Sequence, residues 1–533
     1  MMIRYIALAL IMFTALRCVF TIFKPVPCNF VSAMKLAFCR VGAVASRWNW
    51  RLRAAAILAI GLVLPTMAAP RSVEIPAWVK DVGARTAPVS ENSVIVNTFG
   101  AANNGRTLAT AAIQKAIDTC AAAGGGTVVF EAGTYLTGAL FLKSNIHLRV
   151  DAGVTLLAVQ DESAYPSRRT RIAGIEMNWP SALINVYGER NVKISGKGII
   201  DGNGEIWWNK FKTMRHDEYE PRGLRWAVDY DCERVRLLVV YDSTDVTIEQ
   251  VHLRRSGFWT VQICYSHHVT VDGVRITDNT GPSSDGIDID SSHHVLVQNC
   301  DIDCNDDCLC LKAGRDYDGL RVNRPTEYVY IRNNTTRNGH GVISFGSETS
   351  GGIRHVVVQG NRAFGTAEGL RFKSAKTRGG FVSDVLILDT VMEDVPVPFV
   401  FTLDWYPIYS YVTLPKDLNN LPPNLAGRDK LPEHWHVLQT PVTPPERGFP
   451  DFHNITIANA TASGARRILT STGLDTRPIH NIHFINVIAS GETAGEIKYG
   501  QDWTMQNVKF TTPTGAPLKI TNSENVEAPE VTR

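Results

Sequence analysis

The chain has 533 residues, 44% of them hydrophobic and 20% charged, so it is long enough to bury a large core. Its 54 basic and 52 acidic residues give a net charge of +2, without the basic excess that nucleic-acid binding needs. At the N-terminus, Arg51 and Arg53 precede an apolar run from Ala54 to Leu64 and then Ala68-Ala69. This order is typical of an export signal, and it predicts cleavage after Ala68 and a secreted or periplasmic protein.

The predicted leader covers residues 1–68 and contains a second apolar stretch from Tyr5 to Phe23. Either the start codon is assigned too early, with the true start near residue 46, or the stretch is a membrane anchor. The run from Ala54 to Leu64 is too short to span a bilayer. We expect residues 69–533 to form one domain that is monomeric and keeps no stable membrane partner after cleavage.

Seven of the ten cysteines lie beyond the leader, and an odd number leaves at least one unpaired. Cys300, Cys304, Cys308 and Cys310 cluster without the spacing of a zinc site. We expect them to be buried small apolar residues, with one disulfide as an open alternative.

A helix is predicted from Thr107 to Ala121, before the repeated part of the chain. Its apolar residues fall on one face, and it ends at Gly124-Gly125-Gly126. Strand patterns follow at 127–130 and 146–148. We interpret the helix as a cap over the end of a β-solenoid, where an open edge would invite aggregation.

A short motif then recurs, in which a polar residue is followed by Val or Ile, one more residue and again an apolar residue. The first apolar residues of the copies stand at 192, 246, 269, 295, 329, 356, 385, 455, 482 and 508. The alternation is that of a strand, and most intervals match one coil of a parallel β-helix. We assign two coils to the interval of 54 residues, and one coil plus an insertion to the interval of 70.

No helical pattern separates the copies in the sequence, which argues against βαβ units and an α/β barrel. The prediction is an all-β fold, a single right-handed parallel β-helix with an N-terminal capping helix. The insertion, at about 401–450, is rich in Pro, Tyr and Trp. We expect a long ordered loop there, and loops of this length inside a domain are usually functional.

Three aspartates fall in two motifs that are about one coil apart. Asp285 lies in Ser283-Ser284-Asp285-Gly286, and Asp306-Asp307 follows 21 residues later. Stacked coils bring equivalent positions to about 5 Å, so these carboxylates should form an acidic patch. Each motif alone is ordinary turn chemistry.

Two further motifs continue this spacing, Gly339-His340-Gly341 and Arg371-Phe372-Lys373. Hydrolysis of a glycosidic bond by inversion needs one carboxylic acid for the leaving oxygen and one carboxylate for water. Like charges raise the pKa of one member, and His340 could tune that proton. Arg371 and Lys373 suit a substrate carboxylate, so the set favours hydrolysis of an anionic sugar polymer.

At these residues the sequence resembles glycoside hydrolase family 28, the polygalacturonases, from about Val96 to Phe510. The family's signatures Asn-Thr-Asp, Asp-Asp, Gly-His-Gly and Arg-Ile-Lys are matched at Asp285, Asp306-Asp307, His340 and Arg371-Phe372-Lys373. Ser283-Ser284 replaces Asn-Thr, which leaves the preferred substrate open. Phe372 should point into the core.

The resemblance implies hydrolysis of α-1,4-galacturonosidic bonds in pectic polysaccharide, with inversion and no metal or organic cofactor. It implies that Asp306 is the general acid, that Asp285 and Asp307 hold and activate water, and that His340 supports the acid. Arg371 and Lys373 would bind the sugar carboxylate.

We expect exo action, because Trp207, Trp208, Trp226 and the insertion at about 401–450 could wall one end of the groove. These aromatic residues could equally serve to pack the loops. Three alternatives remain: a rhamnogalacturonan-directed enzyme of the same family, a Ca²⁺-dependent pectate lyase, and a non-catalytic carbohydrate-binding β-helix.

Overall fold

In the computed structural model, the described residues are 73–89, 91–414, 420–427 and 430–533. Residues 75–533 form one unit. The predicted leader and its cleavage point after Ala68 lie outside the described residues. Within the described ranges, no helix is both long and apolar enough to cross a membrane.

Short strands stack into three parallel ladders, in which each strand pairs with the equivalent strand of the next coil. Val246 pairs with Val269, for example, and Val269 pairs with Val295. The predicted all-β fold, a right-handed parallel β-helix, is confirmed. Three long strands near the C-terminus, Thr461–Thr472, Ile479–Lys498 and Gly500–Thr511, bend through the corners and join more than one ladder.

The other strands of the first ladder are Ser93–Ile95, Gly126–Val129, Ile146–Arg149, Arg190–Ser195, Thr244–Glu249, His267–Asp272, His293–Gln298, Thr326–Arg332, Ile353–Gln359, Phe381–Leu388, Asp451–Ala458 and Glu524–Val526. Those of the second are Asn104–Leu108, Gly133–Thr137, Val154–Ala158, Ile199–Asp201, His252–Arg254, Arg275–Thr277, Asp301–Cys304, Thr335–Asn338, Arg362–Phe364, Val391–Glu393 and Glu530–Thr532. Those of the third are Leu140–Leu142, Ile184–Tyr187, Leu238–Tyr241, Val261–Cys264, Ile287–Asp290, Asp307–Lys312, Gly341–Phe345, Glu368–Lys373, Val397–Thr402 and Lys519–Thr521.

The polar residue that opens most copies of the repeat has a left-handed backbone conformation. Its φ is 56° at Asn191, 54° at Asp245 and 54° at Asn454. Asn and Asp tolerate this region better than most residues because their short side chains bond locally. The side chains also join coils, since Asn481 Nδ2 donates to Asn454 Oδ1 at 2.6 Å. The repeat in the sequence is therefore the mark of one backbone corner per coil.

The capping helix is Thr110–Ala122 and begins three residues later than predicted, because Asn104–Leu108 is a strand. Ile113, Ala116, Ile117 and Cys120 form its buried face, as the periodicity predicts. The other helices are Ala77–Lys80, Val96–Phe99, Glu162–Ala164, Glu205–Thr213, Met214–Tyr219, Glu220–Arg222, Val228–Asp231, Asp316–Val322, Pro407–Ser410, Glu433–Gln439 and Pro445–Gly448.

The assignment of two coils to the 54-residue interval is wrong, since Val192 pairs directly with Val246. The extra residues form a helical excursion between the second and third ladders. The expectation that no helix separates the copies is also wrong, because Asp316–Val322 lies between the strands of Val295 and Val329. These helices occupy loops within a coil, so the strand pairing continues past them.

The last copy of the repeat, at Val508, does not lie on the first ladder with the copy at Ile482. Ile482 pairs with Trp503 in the first ladder, whereas Val508 pairs with Val487 in the second. The coil from Ile482 to Trp503 is 21 residues long. The 26-residue step from Ile482 to Val508 therefore passes the corner of the coil and reaches the second ladder.

The apolar side chains form two separate clusters. The solenoid core fills the coils and includes Phe345, Phe372 and Phe401, whose rings stack at 4.4 and 4.6 Å between centroids. Phe372 is fully buried, as predicted. The second cluster belongs to a layer outside the coils, built around Trp179, Trp226 and Trp435.

We call this outer layer the wall. It comprises an antiparallel hairpin of Ser167–Ile172 and Ile175–Pro180, the excursion 202–237 and the insertion 403–450. The insertion begins two residues later than predicted because Val397–Thr402 is a strand. Its described residues contain short helices and no strand.

All seven described cysteines are buried and free, so the alternative of a disulfide among them is wrong. Cys304 Sγ donates to Cys308 Sγ at 3.7 Å. They pack as small apolar residues, as expected.

Candidate active site

The predicted site residues lie on four consecutive coils, all on the third ladder. Asp285 precedes Ile287–Asp290, Asp307 opens Asp307–Lys312, and His340 precedes Gly341–Phe345. Arg371 and Lys373 lie within Glu368–Lys373. A β-helix presents such residues side by side because each coil repeats the path of the one before it.

The register differs in detail from what the spacing predicts. Ile287 pairs with Leu309, which sets Asp285 beside Asp307 and not beside Asp306. Arg371 pairs with Ser344, three residues along the strand from Gly341, so it is not level with His340. Its long side chain nevertheless reaches back to the acids.

Asp307 is almost completely buried and accepts hydrogen bonds from Arg371, Ser344 and Lys373, with a longer one of 3.6 Å from Cys310 Sγ to Oδ2. Its Oδ1 accepts from Arg371 Nη1 at 2.9 Å and from Ser344 Oγ at 2.7 Å, and its Oδ2 accepts from Lys373 Nζ at 2.7 Å. Burial alone would raise the pKa of Asp307, but Lys373, Arg371 and Lys312 hold it far below the ordinary value. Asp307 is therefore an ionised carboxylate with a fixed orientation.

Asp306 is more open, with 28% of its side chain exposed, and His340 Nδ1 lies 3.5 Å from its Oδ1. Burial raises the pKa of Asp306, but the hydrogen bond and charge of His340, together with Lys373, bring it below the ordinary value. The same contact with Asp306 raises the pKa of His340. Both shifts favour the pairing of an ionised Asp306 with a protonated His340.

Asp285 carries the opposite shift. It is buried, and burial together with the charges of Asp288 and Asp306 raises its pKa well above the ordinary value. The sequence predicts that one clustered acid keeps its proton. Of the three acids, Asp285 is the one whose pKa is raised, and burial is the largest cause.

A buried cation below the acids was not found from the sequence. Lys312 Nζ lies 3.8 Å from Asp285 Oδ2, 3.5 Å from Asp288 Oδ1 and 3.4 Å from Glu348 Oε2. Burial raises the pKa of Asp288 to about 7 against the lowering effect of Lys312. Asp288 and Lys312 could have been noticed as charged residues inside short apolar strands, whereas Glu348 lies in a loop and gives no such signal.

One pocket lies between the solenoid and the wall, and His340, Arg371 and Asp288 are not among the residues that line it. Asp285, Asp306, Asp307, Lys312 and Lys373 come from the solenoid. The wall contributes residues of the excursion and of the insertion, which are Arg225, Asp229, Trp405 and Tyr409. Lys373 Nζ lies 4.6 Å from the ring centroid of Trp405. Carboxylates, cations and an aromatic face suit a charged sugar.

Trp207, Trp208 and Trp226 do not line this pocket. All three are buried, and Trp226 packs against Trp435 with 4.8 Å between ring centroids. They pack the loops against the solenoid, whereas Phe258, Trp259 and Trp405 are among the aromatic residues that line the pocket.

The wall is fastened to the solenoid by Arg315, which follows the third-ladder strand of Asp307. Its Nη1 donates to Tyr230 Oη at 2.7 Å, and its Nη2 donates to the carbonyls of Tyr409 and Ser410 at 3.0 and 3.1 Å. One buried guanidinium thus joins the excursion and the insertion.

The Ser283-Ser284 departure leaves a hydroxyl where the related family has an amide. Ser284 is buried, and its Oγ donates to the carbonyl of Gly281 at 2.7 Å. Ser283 lines the pocket. This edge of the site therefore offers a shorter hydrogen-bonding group than asparagine would.

Asp285, Asp307 and Cys310 have ligand atoms within 4.8 Å of one another. The donor set does not suit Ca²⁺, which takes six to eight oxygen ligands. Both oxygens of Asp307 already accept from cations, and burial raises the pKa of the Cys310 thiol well above its ordinary value. This chemistry disfavours the calcium-dependent lyase.

Comparisons with known proteins agree with the resemblance seen in the motifs. A probable polygalacturonase of Vitis vinifera is 30% identical over 315 residues, which cover 57% of this chain and 61% of that protein. The exo-poly-alpha-D-galacturonosidase of Dickeya chrysanthemi is 26% identical over 471 residues, covering 81% of this chain and 73% of that protein. The chain thus spans less than two thirds of the Vitis protein.

Among solved structures, a hyperthermoactive exopolygalacturonase from Thermotoga maritima is similar with a TM-score of 0.67 and 26% identity, covering 81% of this chain and 94% of that one. Residues 127–411, more than half of the chain, match the family described as glycosyl hydrolases family 28. This range includes all of the acids and cations that line the pocket. The chain belongs to glycosyl hydrolase family 28.

Proposed function

We propose that the protein hydrolyses α-1,4-galacturonosidic bonds in pectic polysaccharide and releases terminal galacturonate with inversion. The observation that carries this proposal is the pocket that Asp285, Asp306 and Asp307 line together with Lys373 and two tryptophans, Trp259 and Trp405. The family and its named polygalacturonases support the same reaction. Pectic polymers lie outside cells, which agrees with the predicted export signal.

In this proposal Asp306 protonates the leaving oxygen, and Asp285 and Asp307 hold and activate the water. Asp306 is the most accessible of the three acids and has His340 beside it. Asp307 is ionised and fixed by two cations, which suits a group that orients water. Arg371 and Lys373 bind the substrate carboxylate next to the scissile bond.

Asp306 has a lowered pKa in the free protein, and the general acid must carry a proton. A bound galacturonate adds a negative charge beside Lys373, one of the groups that lower the pKa of Asp306. Exclusion of water by the sugar acts in the same direction. We therefore expect substrate binding to raise the pKa of Asp306 and load the acid.

The wall supports exo action, because Arg225, Asp229 and Tyr409 close one side of the pocket. Arg225 pairs with Asp229 and lies over the ring of Tyr409, 5.1 Å from its centroid. A chain end fits such a pocket, whereas an internal segment of polymer needs an open groove. The related proteins from Dickeya and Thermotoga are named as exo enzymes.

The test is incubation of the purified protein with polygalacturonate in the presence of a chelator. We expect new reducing ends, monomer as the first product by chromatography, and β-anomeric galacturonate by early NMR. An ultraviolet-absorbing unsaturated product would instead indicate a lyase. A series of oligomers of increasing length would contradict exo action. Cleavage of rhamnogalacturonan but not of polygalacturonate would contradict the proposed substrate.

Asp306→Asn is expected to lower kcat by about 10²- to 10⁴-fold, the usual contribution of a general acid. The control is Asp301→Asn, which removes a partly exposed acid of the same coil whose ion-pair partner is Arg337. Equal activity of the two variants would overturn the role of Asp306.

A further inference from the structure

Two histidines and an aspartate lie together on the outer side of the first ladder. Asp451 and His453 belong to Asp451–Ala458, and His480 belongs to Ile479–Lys498. His453 pairs with His480 in the next coil, and their rings stack at 5.0 Å between centroids. None of the three lines the active-site pocket, so the catalytic proposal leaves them unused.

Their ligand atoms converge on one point. Asp451 Oδ2 lies 3.4 Å from His453 Nδ1, and Asp451 Oδ1 lies 3.0 Å from His480 Nε2. All three residues offer an atom within 4.8 Å of the others, and all are partly buried. Zinc bonds to imidazole nitrogen and carboxylate oxygen are about 2.0–2.2 Å long, so one ion could contact all three atoms after small side-chain movements.

A second observation indicates a ligand. The Nδ1 atom of His453 is buried and has no hydrogen-bond partner among the described residues. Asp451 Oδ2 lies 3.4 Å away, which is close enough to raise the pKa of His453 by a weak hydrogen bond, but the contact does not meet strict hydrogen-bond geometry. A buried polar atom without a partner costs free energy, and a bound cation would satisfy it.

The charges around the cluster favour a cation. Asp384, on the neighbouring coil, acts on His453 together with Asp451. The competing explanation is a protonated His453 paired with Asp451, since that contact raises the pKa of His453. Such an ion pair would need no metal and is the outcome against which the site must be tested.

We propose that Asp451, His453 and His480 bind one divalent transition-metal ion of the zinc type. The donor set of two imidazoles and one carboxylate matches known zinc sites and leaves a position for water. Asp451 is the residue at which the insertion 403–450 returns to the coils. The ion would therefore join two successive coils where the solenoid resumes.

The experiment is calorimetric titration of the full chain with Zn²⁺, after removal of any affinity tag and treatment with a chelator. We expect one site in the wild type, an affinity at least tenfold lower in His480→Ala, and the same loss in Asp451→Asn, which keeps the shape of the side chain. Co²⁺ in the same site should give visible absorption bands of a four- or five-coordinate ion that are lost in both variants.

The matched control is His483→Ala, which removes a histidine of the same strand that contacts Thr504 at 2.8 Å. A second control is His293→Ala, in the stacked pair of His267 and His293 on an earlier part of the first ladder. Both should bind Zn²⁺ as the wild type does. Absence of stoichiometric binding, or binding lost with His293 and kept without His480, overturns the proposal. Hydrolytic activity should stay unchanged in all of these variants, which separates this test from that of the catalytic proposal.

Discussion

The solenoid and the wall are held together by different means. Every coil of the solenoid repeats one register and one set of inward apolar residues, so each contact is like the next. The wall has no repeat and depends on single buried groups, such as Arg315 and the pair of Trp226 and Trp435. The pocket lies between them, which suggests a division in which the solenoid fixes the reacting groups and the wall limits which part of a polymer can enter.

The first prediction tests the solenoid side and has the largest expected effect. Lys312→Met removes the cation that Asp285, Asp288 and Glu348 share. Leaving buried carboxylates without their partner should cost about 3–5 kcal/mol of unfolding free energy, and displacement of Asp285 should lower kcat by about 100-fold. Urea unfolding and initial rates measure the two effects.

The control for this variant is Lys193→Met, which breaks a partly exposed pair with Glu249 on another part of the solenoid. Exposed pairs contribute about 0–1 kcal/mol, so stability and rate should hardly change. If Lys312→Met behaved like this control, Lys312 would have no role in ordering the acids.

The second prediction compares two fully buried tryptophans directly, one in each region. Trp435 belongs to the wall cluster and Trp503 to the solenoid core. Either one replaced by alanine should cost about 3–5 kcal/mol where its cavity forms. Trp503→Ala should lower the midpoint of global unfolding and leave the products unchanged, whereas Trp435→Ala should loosen the wall and add oligomers to the monomer released from polygalacturonate.

Denaturant unfolding and chromatography of early products distinguish these outcomes. The same product pattern from both variants would contradict a separate role for the wall.

The third prediction is the smallest and concerns the pair of His340 and Asp306. The raised pKa of His340 means that its contribution to stability is present below its ordinary pKa of 6.5 and is lost as pH rises through the folded value. The lowered pKa of Asp306 means that its contribution is present above its ordinary pKa of 3.8 and is lost as pH falls through the folded value. His340→Gln should therefore destabilise most between these limits, by at most about 1 kcal/mol, and least at alkaline pH.

Unfolding curves between pH 4 and 9 measure the difference from the wild type, with His483→Gln as the control because it has no carboxylate partner in its hydrogen bond. A constant difference at all pH values would show that the two groups do not titrate as a pair.

The solenoid could be predicted because its physics is local. A left-handed corner selects Asn or Asp, the next residues alternate, and the pattern returns once per coil. The number of coils predicted from the spacing is wrong where a coil contains a long loop, as between Val192 and Val246. Spacing alone cannot distinguish a second coil from an excursion.

The structure places the three predicted acids close to His340, Arg371 and Lys373. Motifs at equivalent positions of successive coils lie next to one another because each coil repeats the path of the one before it. What the sequence could not give is the environment that decides their protonation. Burial, which no motif records, raises the pKa of Asp285, whereas the pKa values of Asp306 and Asp307 are lowered. Arg225 of the wall was not found for a similar reason, since its contact with Tyr409 of the insertion depends on the path of two long loops.

The four-coil arrangement of the pocket has a consequence for assembly. The acids and cations from Asp285 to Lys373 form one continuous stretch, and each coil adds its own member. No single one of these four coils contains all of the acids and cations of the site. The site is therefore complete only when the fourth coil has packed against the third. Deleting one coil between Asp307 and Arg371 should abolish it, whereas an added coil elsewhere would lengthen the solenoid and leave the pocket intact.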